Sequence, residues 1–186
     1  MRDRRARAVL VAAAVVAAAV VAAGVVASAV ESLRIVPMVR DNKVVVTFEL
    51  ADGFTEPVRD AIASGLRTTF TYDLELRTVV PSWLDRTIVT ATVAASDQFD
   101  NLTRRHTLTR TVDGRVEEVL VTEEGDAAKA WLTTWTRLPL CDTSKLDPSR
   151  DYYVRISART RPFSGGSLLS WATKSITGQA KFTFVP

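Results

Sequence analysis

A mainly β, antiparallel fold, a sandwich or a strongly bent sheet with α+β character only at the margin, is what this sequence predicts. Three observations carry that prediction. Beyond residue 29 the chain holds 22 threonines, 17 valines and all 14 aromatic residues, the β-branched and aromatic types that suit a pleated, half-buried surface. Several runs alternate apolar and polar residues with a period of two. Turn-forming residues separate those runs at strand-like intervals. About seven strands and two short helices are expected, following an N-terminal targeting segment.

That segment comes first. Arg2, Arg4, Arg5 and Arg7 precede an apolar run of Ala, Val and Leu with one Gly over residues 8–27, which ends in Ala27-Ser28-Ala29. A basic start, an apolar middle and small residues at Ala27 and Ala29 read as a secretory signal peptide cleaved after Ala29. Twenty apolar residues also suffice to cross a bilayer of about 30 Å, although alanine contributes little to insertion. The chain therefore divides into residues 1–29, a signal peptide or retained N-terminal anchor, and residues 30–186, a single β-rich domain. Either reading exports the domain to a periplasmic or extracytoplasmic location, with membrane attachment through residues 8–27 in the anchored case.

In the domain, Val44–Leu50 reads as a first strand. Thr55 as N-cap and Pro57 in the first turn start a helix whose apolar side is Val58, Ala61 and Ile62 and whose stop is Gly65. Phe70, Tyr72, Leu74 and Leu76 then alternate with Thr71, Asp73, Glu75 and Arg77 along residues 69–77. Further strands are expected at 86–95, 103–112, 115–122, 152–161 and 180–185. A second helix, from about Gly125 to Thr134, carries Ala127, Ala128, Ala130, Trp131, Leu132 and Trp135 as packing residues. Glu123, Glu124 and Asp126 sit where a helix N-terminus favours negative charge. Asp113-Gly114 is a signal for a two-residue hairpin turn with positive φ at both positions. An unbroken register from that turn sets Arg110 opposite Glu117, Leu108 opposite Val119, His106 opposite Val121 and Arg104 opposite Glu123. The Arg-rich run 104–110 is then partly neutralised by its own hairpin partner and is not expected to be an anion-binding surface for DNA or phosphate head groups.

Charge and motif content exclude several activities. Four of the 24 basic and one of the 21 acidic residues lie in the first 29, so the remainder balances at 20 of each. A basic nucleic-acid binder is excluded on that ground. One cysteine, Cys141, permits no internal disulfide. It lies in the leucine-lined run Leu138-Pro139-Leu140-Cys141-Asp142, as a packing residue would, and not as an activated thiol. His106, on the side of Leu102 and Leu108, reads as a half-buried strand residue. One His and one Cys furnish no structural zinc site. Asp142 and Asp147 read as turn residues before Pro148, and Asp73 and Glu75 as a solvated strand face and not a glycosidase pair. No catalytic residue, metal ligand or cofactor is expected. Trp83, in the connection Pro81-Ser82-Trp83-Leu84-Asp85, is the tryptophan least easily placed in a core and is the candidate partner-binding residue.

The helix end Ala61-Ile62-Ala63-Ser64-Gly65-Leu66, the strand Phe70-Thr71-Tyr72-Asp73-Leu74-Glu75-Leu76, Trp83 and Asp85 follow one another in a distinctive order. Phe99-Asp100-Asn101-Leu102-Thr103 and Leu146-Asp147-Pro148-Ser149-Arg150-Asp151-Tyr152-Tyr153 come after them. Together with the signal segment, they resemble domain-of-unknown-function family 4390 of exported bacterial proteins. Phe99 and His106 stand where that pattern carries tyrosines. The resemblance implies export and one compact domain, and assigns no activity. The expected function is thus a non-enzymatic cell-envelope module that binds an envelope protein or lipid. The alternatives are an accessory module of an envelope signalling system, or a hydrolase with an unrecognised site.

Overall fold

The computed structural model describes residues 32–81, 84–162 and 175–184. The candidate cleavage residues Ala27 and Ala29, the apolar run 8–27 and Trp83 lie outside them. The described residues form nine strands, two helices and a 3-10 turn. The strands are β1 (Leu33–Arg40), β2 (Lys43–Leu50), β3 (Thr68–Thr78), β4 (Arg86–Asp100), β5 (Arg105–Val112), β6 (Arg115–Thr122), β7 (Thr134–Asp142), β8 (Asp151–Pro162) and β9 (Ile176–Thr183). Helix α1 (Glu56–Ala63) lies between β2 and β3, and α2 (Gly125–Thr133) between β6 and β7. A three-stranded sheet runs β1-β2-β7 and a six-stranded sheet runs β6-β5-β4-β3-β8-β9, every pairing antiparallel.

β3 sits between β4 and β8, so both its edges are hydrogen-bonded and its side chains decide what each face does. Phe70, Tyr72, Leu74 and Leu76 are buried on one face, while Thr71, Asp73, Glu75 and Arg77 are half-buried on the other. The buried face meets β2. The Phe48 ring lies 4.9 Å from that of Tyr72 and stacks at 6.3 Å on Trp135. Tyr72 donates its hydroxyl to the Leu132 carbonyl at 2.7 Å, which brings α2 onto the same face. Burial pushes the Tyr72 phenol well above its ordinary pKa, so it stays a donor. On the opposite face Arg159 donates to Asp73, which also accepts from the Thr92 hydroxyl at 3.1 Å. The polar, solvated side expected for Asp73 and Glu75 is thus an ion-paired one.

Two strands escaped the sequence reading, and both carry a proline. β1 contains Pro37 and β7 contains Pro139. Each is an edge strand of the small sheet, where a missing N–H need not break a ladder. β7 is further disguised by two register shifts against β2 and by Arg137 at φ 52°. It begins directly at the end of α2, because Thr134 is already extended at φ −124°, ψ 131°. Trp135 therefore packs from a strand, and its assignment to the helix is corrected. β9 likewise starts at Ile176, earlier than the expected 180–185.

Asp113 and Gly114 form the expected turn, with φ of 48° and 80°. The register beyond it differs from the expectation. Val112 faces Arg115 and Thr111 faces Val116, but Arg110 faces Glu118, so Glu117 is an extra residue in a bulge. Leu108 consequently opposes Leu120, and His106 opposes Thr122. A bulge slips every later pair by one residue and exchanges faces. Here it swings Val119 and Val121 away from buried Leu108 to the face of Thr109 and Thr107. It also moves the acid of the hairpin's far end. Glu123 pairs with Arg105 at 3.0 Å, and Arg104 is left in the turn before β5 at φ 57°. The expected neutralisation of Arg104 is therefore overturned.

Arg110 reaches inward from the same hairpin. Its guanidinium lies 4.3 Å and 4.6 Å from the ring centres of Trp131 and Trp135. It donates to the carbonyls of Trp131 at 3.0 Å and Thr134 at 2.6 Å. A cation on the last carbonyls of a helix meets the negative end of its dipole. Arg110→Ala is expected to cost about 2–4 kcal/mol, the sum of lost charged hydrogen bonds and desolvated cation–π contact. Urea titration of the variant checks this, and a loss below about 1 kcal/mol would contradict the anchoring role.

Candidate functional site

A cleft of about 650 Å³ opens between α1, α2 and the β4–β5 turn. Its position follows from local rules. α1 stops at Ser64 because Gly65 turns left-handed at φ 76°, and the Leu66 N–H returns to the Ala61 carbonyl at 3.0 Å. A Cβ on Gly65 would stand 3.3 Å from the Phe99 carbonyl oxygen, so the helix end rests directly on β4. The β4–β5 turn is held by Asp100, whose carboxylate accepts the N–H groups of Leu102 at 2.8 Å and Thr103 at 3.3 Å. Those bonds hold the Asp100 carboxyl below the usual carboxylate range. Leu102 is 95 % exposed in this turn, not aligned with His106 on a strand.

His106, which lines the cleft, belongs to a buried pair. Asp97 on β4 is 0 % exposed and His106 on β5 is 9 % exposed. Their side chains meet diagonally, Nδ1 to Oδ2 at 2.8 Å. The second Asp97 oxygen, Oδ1, has no hydrogen-bond partner. Burial raises the Asp97 carboxyl above its ordinary pKa, with the hydrogen bond and charge of His106 opposing. Asp97 is the sole hydrogen-bonding partner of the His106 ring among the described residues, so Nε2 is the ring nitrogen without a protein partner in a residue that lines the cleft. The Phe99 ring flanks the imidazole at 4.6 Å. Apolar Phe54, Ile62, Ala63 and Ala128 form the walls, and Arg59, Arg104, Lys129 and Asp126 complete the lining.

Sequence reasoning placed His106 on the inner face of its strand but missed the pair. Asp97 looked like one polar residue among Ser96-Asp97-Gln98. Only the alternation with buried Val93 and Ala95 could have marked it as inward-facing. The other candidates lie elsewhere. Cys141 is half-buried opposite Val44 on the small sheet, and burial pushes its thiol up, away from thiolate chemistry. Cys141→Ser is expected to leave function intact and to cost roughly 1–2 kcal/mol; a folded but inactive variant would contradict this. Asp147 holds a turn by accepting the Ser149 N–H at 2.9 Å and hydroxyl at 2.6 Å. Near Trp83, Asp85 accepts the Tyr153 hydroxyl at 2.8 Å, and its carbonyl accepts from Arg77 at 2.9 Å. Among the described residues no group of three or more His, Cys, Asp or Glu is placed to hold a metal ion. No helix among them is long and apolar enough to cross a membrane.

A family model described as a domain of unknown function (DUF4390) matches residues 27–164. No curated protein and no solved structure matches the chain.

Proposed function

We propose, for a chain that belongs to the DUF4390 family, the role of an exported cell-envelope domain that binds and does not catalyse. Its cleft holds the apolar part of an envelope lipid or similar amphiphile. The carrying observation is the cleft itself, with Phe54, Ile62, Phe99 and Ala128 as apolar walls and charged residues at its rim. Pockets of roughly 300–1,000 Å³ with apolar walls and a few placed polar groups suit small organic ligands. Export rests on the Arg-rich start and on Ala27-Ser28-Ala29. Intact mass of the exported protein tests that part. A chain starting at Val30 is expected, and retention of the first 29 residues would make the segment an anchor.

Binding is tested by recovering the tagged protein from intact envelopes and measuring bound amphiphiles by native mass spectrometry. One or a few bound species are expected in the wild type and none in Ala63→Trp, which fills the cleft. A clean apo mass in both would overturn the reading. The Asp97–His106 pair favours a second reading, a hydrolase in which Nε2 acts as general base. That chemistry needs a nucleophile or a held water on Nε2. No hydroxyl or thiol among the described residues bonds to it. Turnover of an ester by the wild type, abolished in a folded His106→Asn, would favour the enzyme.

A further inference from the structure

We infer that the ligand of this cleft carries an anionic oxygen group, a phosphate or carboxylate, lodged between Arg59, Arg104, Lys129 and the start of α2. The inference rests on the binding reading above and names the chemistry of the ligand's polar end.

Several arginines of the strands are ion-paired. Arg105 pairs with Glu123, Arg110 with Glu118, Arg159 with Asp73 and Arg77 with Glu75. Arg59, Arg104 and Lys129 have no ion-pair partner among the described residues, and all three line one cleft. They come from three elements distant in sequence: α1, the β4–β5 turn and α2. Two local accidents of geometry put Arg104 there. The bulge at Glu117 gives Glu123 to Arg105, and the left-handed backbone of Arg104 takes it out of the strand. Three unmatched like charges repel one another, and a bound anion relieves that repulsion.

The start of α2 adds backbone donors. Gly125 and Asp126 line the cleft, and the N-cap residue Glu124 makes no side-chain capping bond. The first N–H groups of the helix therefore lack a side-chain acceptor, and an anion there meets both donors and the positive end of the dipole. Asp126 is the acid among the lining residues, beside Arg59, Arg104 and Lys129, and Asp97 is buried against His106. Apolar Phe54, Ile62, Phe99 and Ala128 share the lining, which suits an acyl or aromatic body joined to the anionic group.

The test is a binding titration of the purified exported protein at about 0.15 M salt. Oleoyl lysophosphatidate is compared with monoolein, which has the same chain and no charge, and with inorganic phosphate as competitor. Lysophosphatidate is expected to bind at least about tenfold more tightly than monoolein, the effect of one charge-assisted contact. Arg104→Gln/Lys129→Gln should abolish that preference, bringing lysophosphatidate binding down to that of monoolein. Arg155→Gln, an exposed charge on β8 outside the cleft lining, should leave both unchanged. Competition by millimolar phosphate would assign the anion site to free phosphate or a phosphorylated headgroup. Its absence, with the preference retained, would assign it to an amphiphile whose chain supplies part of the affinity. Equal binding of the two lipids, or equal loss in the Arg155→Gln control, overturns the anionic headgroup and leaves the binding reading standing. Binding of neither lipid overturns both.

Discussion

Phe48→Ala is expected to destabilise the domain by about 3–5 kcal/mol, the range for removing a buried aromatic ring. Phe48 is 1 % exposed and stands on β2, the middle strand of the small sheet. Its ring reaches across to Tyr72 on β3 of the large sheet at 4.9 Å and stacks at 6.3 Å on Trp135 of β7 in its own sheet. Those two neighbours are themselves fixed, Tyr72 by the Leu132 carbonyl and Trp135 by the Arg110 guanidinium. They cannot easily collapse into the vacated space, so the cavity cost is expected near the upper end. For a domain of this size each kcal/mol moves Tm by roughly 2–4 °C. A calorimetric Tm lowered by less than about 5 °C would mean that the Phe48 ring contributes little to holding the sheets together.

His106→Ala is expected to cost about 3–5 kcal/mol near neutral pH, because it strands a buried carboxylate. Asp97 Oδ1 already lacks a partner, and the variant removes the donor to Oδ2 as well. The sign of the pH dependence follows from the direction of the Asp97 shift. Its carboxyl is raised in the folded protein, chiefly by burial. Folding therefore favours the protonated acid, and that contribution is present in acid and lost as pH rises through the raised value. Removing His106 deletes the two effects that lower the pKa, so the upward shift grows. The variant's deficit is expected to be largest at neutral pH and to shrink as Asp97 takes up a proton. Denaturant titrations across pH 4–8 check this. A deficit that is flat with pH would show that His106 contributes by packing alone. The double variant Asp97→Val/His106→Leu should recover much of the loss, since apolar replacement of a buried pair is often close to neutral.

Much of this architecture was legible because it rests on local rules. The alternation of Phe70, Tyr72, Leu74 and Leu76 marks a strand buried on one face, and it is the central strand of the large sheet. Thr55 and Pro57 mark the start of α1, though Thr55 makes no side-chain cap bond. Asp113-Gly114 marks a turn whose φ values are those two residues' own preference. β1 and β7 were obscured because proline, a bulge and a left-handed Arg137 interrupt the period-2 signal. Their pairing with β2 decides what they are.

The site was less legible, because none of its parts is a motif. By itself the sequence determined that a strand would carry His106, that the chain could hold no disulfide, and where the helices and the hairpin turn would fall. These follow from residue spacing and backbone preference, which act over a few positions. The tertiary structure alone decided that Asp97 meets His106, that Glu117 bulges, and that Arg59, Arg104 and Lys129 share one cleft. A single-residue slip costs little locally, yet it reassigns every later partner and face. Long-range charge placement depends on that choice, so it becomes visible only when the sheets and helices are packed together.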